Sequence, residues 1–204
     1  MLSIKHQFLF IHLPKTAGNS IQNVLCEYSE DNKVCLNAIQ DGVERFEIRS
    51  NDPSLHKHSS LQQYRDALAP NLFDKLFVFT TVRNPWERMI SFYFSPHRQM
   101  TEWNKDSFIQ LVNSVATLPE LLSLKESRVW SENVNKVMRF EHLQHDFDSV
   151  CHDIGIPCAP LYVRNKSTRA DYITYYDAEL ISLVREKFSE EIAFGDYHFS
   201  QNIC

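Results

Sequence analysis

The chain has 204 residues, enough for one domain with a full-sized core. Hydrophobic residues make up 43% and aromatic residues 12%, which excludes a disordered chain. The formal net charge is −5 without a basic stripe, which argues against general nucleic-acid or anionic-membrane binding.

No apolar run approaches the roughly 20 residues that a membrane span needs. Lys5 and His6 lead into the first strand without a signal-peptide pattern. A soluble, cytoplasmic protein with a single domain over 1–204 is expected. The five cysteines are odd in number and form no C-x-x-C, so reduced thiols are expected. The nine histidines show no zinc-site spacing, so no metal is expected.

Residues 8–20 read FLFIHLPKTAGNS. Phe8, Leu9, Phe10 and Ile11 predict a buried strand, and His12, Leu13 and Pro14 a short turn. Lys15, Thr16, Ala17, Gly18, Asn19 and Ser20 then open a helix. Its apolar stripe is Ile21, Val24, Leu25 and Tyr28, at i, i+3, i+4 and i+7. Such a turn offers backbone N–H groups, a helix N-terminus and a lysine charge to a phosphate. The nucleoside-triphosphate loop has its lysine after a second glycine, whereas Lys15 precedes Gly18.

Residues 30–51 are polar, with a short strand expected at 46–48. His56-Lys57-His58 precedes a helix whose expected N-cap is Ser59, with Gln62 completing a capping box. Leu61, Tyr64 and Leu68 give that helix its apolar face, and Pro70 ends it. Residues 75–82 are an apolar, β-branched run, read as a strand buried on both faces. Arg83 follows, then Asn84 as N-cap, Pro85 in the first position and Glu87 in the third. Trp86, Met89, Ile90 and Tyr93 face inward.

Asp106 is expected to cap the next helix. Residues 118–131 give no decisive pattern, and 134–140 read as a third strand. A helix carrying Leu143, Phe147, Val150, Cys151 and Ile154 follows, stopped by Gly155 and Pro157. The final helix starts near Asp177. Strands alternating with helices predict an α/β, three-layer fold with a mainly parallel central sheet flanked by helices. Ligands of such sheets sit beyond the carboxyl ends of the strands, where Lys15 and Arg83 both lie.

Arg83 leaving a buried strand can fork onto a phosphate, or bridge to Glu87. The segment V-R-N-P-W-E-R-M-I-S-F-Y, from Val82 to Tyr93, resembles the 3′-phosphate segment of family-2 sulfotransferases, which include carbohydrate O-sulfotransferases. Residues 14–20 are similar to the 5′-phosphosulfate loop of such enzymes. Arg139-Phe140-Glu141, the ending Phe194-Gly195-Asp196-Tyr197-His198-Phe199, and Asn165-Lys166-Ser167-Thr168-Arg169 extend the resemblance over most of the chain. Asp196 is an insertion in the family's usual ending. The animal Golgi members carry an N-terminal anchor, and this chain begins about where their catalytic domain begins, so the Golgi lumen is the alternative expectation should an anchor have been removed. Residues 118–131 match nothing in the family and are expected to form a helix and loop near the acceptor.

The resemblance implies a P-loop-like fold and 3′-phosphoadenosine 5′-phosphosulfate (PAPS) as co-substrate, with adenosine 3′,5′-bisphosphate (PAP) as product. It places Lys15, Thr16, Ala17, Gly18, Asn19 and Ser20 around the 5′-phosphosulfate, and Arg83 and Ser91 on the 3′-phosphate. Ser167 and Arg169 are further candidate contacts, in a loop closing over the nucleotide. Arg88 is read as a surface or structural residue. The implied acceptor is a saccharide hydroxyl. Lys15 would stabilise the leaving oxygen, and a histidine between the two phosphate motifs would take the proton. His58 is expected in that role rather than His56, because it directly precedes the helix and its positive end. Two alternatives remain at this point: a P-loop-type small-molecule kinase, and a non-catalytic nucleotide-binding protein of the same fold.

Overall fold

The computed structural model describes residues 1–40, 43–98, 100–127, 129–162 and 169–199. The chain runs β1 (Leu2–Ser3), β2 (Phe8–Ile11), α1 (Gly18–Leu25), β3 (Asn32–Gln40), β4 (Val43–Arg49), α2 (Leu61–Ala67), α3 (Pro70–Phe73) and β5 (Phe77–Val82). It continues with α4 (Pro85–Tyr93), α5 (Lys105–Ser114), α6 (Leu118–Leu122), β6 (Lys136–Arg139), α7 (Leu143–Asp153), α8 (Ala178–Lys187) and α9 (Ser189–Gly195).

The main sheet has the order β1-β2-β5-β6. β2 pairs parallel to β5, with Phe8 opposite Phe77 and Ile11 opposite Thr80. β5 pairs parallel to β6, with Val82 opposite Arg139. β1 is a short antiparallel addition at the edge. β3 and β4 form a separate antiparallel ribbon, which includes the strand expected near 46–48.

Alternation along the strands sorts the core into two layers. Phe8, Phe10, Phe79 and Met138 face Ile21 and Leu25 of α1 and Phe147 and Val150 of α7. Leu9, Ile11, Val78 and Val82 face Trp86, Met89, Ile90 and Tyr93 of α4, Phe108 and Val112 of α5, and Leu180 and Val184 of α8. The fold is therefore α/β, with a mostly parallel sheet between two helical layers.

Two expectations need correction. α2 is capped by Ser60, with Gln63 completing the capping box. The pair Ser59 and Gln62 does not serve, because the Ser59 hydroxyl is bonded to His56 Nδ1 at 2.6 Å and accepts from His56 N at 3.0 Å. α5 is capped by Asn104, whose side chain accepts from Ser107 N, so Asp106 lies inside the first turn. Of the two readings of Arg88, surface or structural, the structural one holds: it is fully buried and paired with Glu191 at 3.2 Å, the only ion pair with both side chains at 0% exposure among the described residues. Elsewhere Asn84 caps α4 with Pro85 following, as expected, and a helix starts at Asp177 as expected, although α9 follows it and is the last one among the described residues.

Candidate active site

The carboxyl ends of β2 and β5 deliver two loops to one place. Arg83 Nη1 donates to the main-chain oxygen of Lys15 at 3.1 Å. Lys15 and Ala17 both have left-handed backbone, with φ of 70° and 66°. Left-handed residues alternating with ordinary ones turn successive N–H groups to one side, the concavity that holds anions. The N–H groups of Thr16, Ala17, Gly18 and Asn19 donate to no residue among those described. That donor set suits a phosphate or sulfate ester.

The loop is held from below. Thr16 is buried, and its hydroxyl donates to Leu13 O at 2.8 Å. Gly18 lies against the His12 ring so closely that a Cβ there would be 2.0 Å from His12 Nε2. Both Ser20 donors are engaged by the protein: its N–H with Ala17 O at 2.9 Å and its hydroxyl with Tyr162 O at 2.7 Å. Asn19 Oδ1 accepts from Lys57 Nζ at 2.5 Å, which ties the loop to the segment carrying the histidines.

His58 reaches the same loop. Its Nδ1 is 2.9 Å from His12 O, and the two rings lie 4.7 Å apart. A carbonyl oxygen only accepts, so Nδ1 carries the proton of the neutral ring and Nε2 keeps its lone pair. His58 is exposed to solvent, although neighbouring protein atoms, the His12 ring among them, still crowd its imidazole. Burial by those atoms, together with the charge of Lys57, lowers its pKa below the ordinary histidine value, against the opposing pull of the His12 carbonyl. Burial, rather than the expected helix end, is the leading cause of that shift. Ser60 rather than Ser59 caps α2, so His58 does not directly precede that cap. His56 is exposed and bonded to Ser59.

Burial pushes the Lys57 ammonium down to about 8, with Glu47 opposing and Arg45 assisting. His12 is wholly enclosed. Burial first, then His58 and Lys57, hold its pKa well below the usual range.

Arg83 is buried, stacks on the Phe140 ring at 3.9 Å, and pairs with Glu87 at 2.7 Å. The bridge to Glu87 is therefore made, and the same residue also faces the Lys15 loop. Arg169 pairs with the same carboxylate at 3.5 Å. Ser91 is buried two turns further along α4. Ser167 lies outside the described residues.

The remaining family-like segments converge behind Arg83. Glu141 accepts from Asn84 N at 3.0 Å and from the Tyr197 hydroxyl at 2.9 Å, and Arg139 donates to Gly195 O. Residues of α6 and Trp130 are buried in the core. An open cleft of about 400 Å³ beside Arg169 is lined instead by Phe94, Met100, Thr101, Trp103 and Tyr175. Reading the sequence missed Lys57 as a partner of Asn19, and Glu87 as a bridge between two arginines. The only signal for either was charge near a phosphate motif.

An α/β sheet with an anion-shaped turn after one strand and a buried arginine after the next offers a carboxyl edge suited to phosphate or sulfate esters. The chain belongs to the Sulfotransferase family, of the family-2 type, whose model matches residues 1–197. It is accordingly a transferase, and sulfuryl transfer is the chemistry of its family. No curated protein is significantly similar to the chain. Among the described residues, no helix is long and apolar enough to cross a membrane.

Proposed function

We propose that the protein transfers a sulfuryl group from PAPS to an acceptor hydroxyl on a carbohydrate. The observation that carries this reading is the meeting of the Lys15 loop, Arg83 and His58 at one sheet edge, through the Arg83–Lys15 and His58–His12 bonds. PAPS supplies the sulfuryl group and a leaving phosphate.

The N–H groups of residues 16–19 hold the 5′-phosphosulfate, and Lys15 meets the charge that develops on the bridging oxygen. Arg83, with Ser91 and Arg169, holds the 3′-phosphate. Ser167 belongs to the same proposed set by family resemblance. His58 Nε2 takes the acceptor proton as the new O–S bond forms and the bond to the bridging oxygen breaks. The cationic groups and amides neutralise the charge, so the reading needs no metal. The saccharide acceptor rests on the likeness of the Arg83 segment to carbohydrate O-sulfotransferases.

Calorimetry tests the nucleotide. PAP should bind without magnesium, and ATP poorly. The reverse preference would point to a kinase. Labelled PAPS with a panel of saccharide acceptors tests transfer. Binding without transfer to any acceptor would mark a non-catalytic nucleotide-binding protein.

A further inference from the structure

The two arginines offered to the 3′-phosphate come from distant segments, and one carboxylate holds both. Glu87 Oε1 accepts from Arg83 Nη2 at 2.7 Å and from Arg169 Nη2 at 3.5 Å, while Oε2 accepts from Arg83 Nε at 3.4 Å. The Arg83, Glu87 and Arg169 side chains are 10%, 23% and 12% exposed, so water screens them weakly. Two guanidinium groups this close repel each other. Burial and the charge of Arg83 both disfavour the Arg169 cation, and Glu87 opposes them. Arg83 is also fixed by Phe140 and by its bond to Lys15 O. Among the described residues these bonds use three of its five N–H groups, so two remain for a ligand.

We propose that Glu87 is a positioning residue of the nucleotide site: it holds Arg83 and Arg169 side by side so that both close on one phosphate. This rests on the PAPS reading above. The sign of its effect is what makes it testable. By Coulomb's law alone, removing a carboxylate beside a phosphate site tightens phosphate binding. A positioning role gives the opposite result, because the freed arginines repel and must be reordered when the ligand arrives.

The experiment is calorimetry of the whole protein with PAP and with adenosine 5′-monophosphate, for wild type, Glu87→Gln, Arg169→Met and the double variant. Wild type should prefer PAP. Glu87→Gln should lose about tenfold in PAP affinity, the scale of one charge-assisted contact, while the monophosphate is bound as before. The double variant should lose no more than the worse single one, because the pair acts as a unit. PAP binding by Glu87→Gln that equals or exceeds wild type overturns the inference, as do losses that multiply in the double variant. A wild type without preference for PAP overturns the nucleotide reading itself, and the inference with it. If Glu87→Gln does not fold, Glu87→Asp, which draws the charge back by one methylene, takes its place. It should show a smaller loss for PAP alone, and unchanged PAP binding overturns the inference.

Discussion

His58 Nδ1 lies 2.9 Å from the main-chain oxygen of His12, the residue that begins the turn carrying Lys15. One hydrogen bond thus sets both the tautomer of His58 and its distance from the phosphate loop. His58→Ala should bind PAP normally but transfer about 10²–10⁴-fold more slowly, the range for losing a general base. Single-turnover sulfation checks this, and a wild-type rate would remove His58 from the reaction. The acid limb of kcat/KM reports the free enzyme. It should lie below the ordinary histidine value, because burial and Lys57 lower the His58 pKa.

Lys15→Ala should cost at least ~10² in turnover at saturating PAPS, as expected for one preorganised charge stabiliser. Arg83 Nη1 bonds the Lys15 carbonyl rather than its ammonium, so the loop backbone should survive the substitution. PAP affinity measured in parallel shows whether the loss lies in the chemical step.

Lys57 titrates at about 8 and bonds Asn19 in the loop. Below that pH its charge favours the anionic donor, and above it the charge is lost. PAP affinity should therefore fall as pH rises through about 8, and Lys57→Arg should abolish that fall. The stability effect has the opposite sign. Between about 8 and 10.5 the unfolded chain binds more protons at this residue than the folded one, so stability rises with pH there. Thermal melts over the same range would separate weakened binding from unfolding.

The Arg88–Glu191 pair tests the core. Glu191 also accepts from Leu118 N at 2.6 Å, which fastens α6 to α9. Glu191→Ala leaves a buried guanidinium and a buried N–H unmet, and should cost about 3–5 kcal/mol in urea denaturation. Arg88→Met with Glu191→Gln should recover most of that loss. The double variant removes both charges, and the glutamine oxygen still accepts from Leu118 N.

The loops that present Lys15 and Arg83 were legible because their signals are local: a buried apolar strand, a breaker, then a helix start. Signals that depend on distant partners were not legible. Arg88 looks like any helical arginine until Glu191, 103 residues away, is folded against it. The β3 strand pairs only with β4 in a ribbon outside the main sheet, and Asn32, Lys33, Cys35 and Leu36 on it are exposed, so the core imprinted no pattern on that part of it. The sequence Ser59-Ser60-Leu61-Gln62-Gln63 permits two capping boxes. A contact with His56 decides between them, and neither propensity nor spacing encodes it.

Thr80 Oγ1 donates to Ile11 O at 2.7 Å across 69 residues of chain. The parallel pairing of β2 with β5 is equally remote, so it must wait for closure of a long loop before any contact rewards it. The crevice proposed to hold the anion lies at the ends of those strands and is not assembled until that pairing is complete. A nascent chain that has emerged only as far as α3 carries the whole Lys15 loop but has no Arg83 to face it. On the proposed function, nucleotide would therefore capture the protein during synthesis only after β5 has docked, and would not act as a template for the first half of the fold.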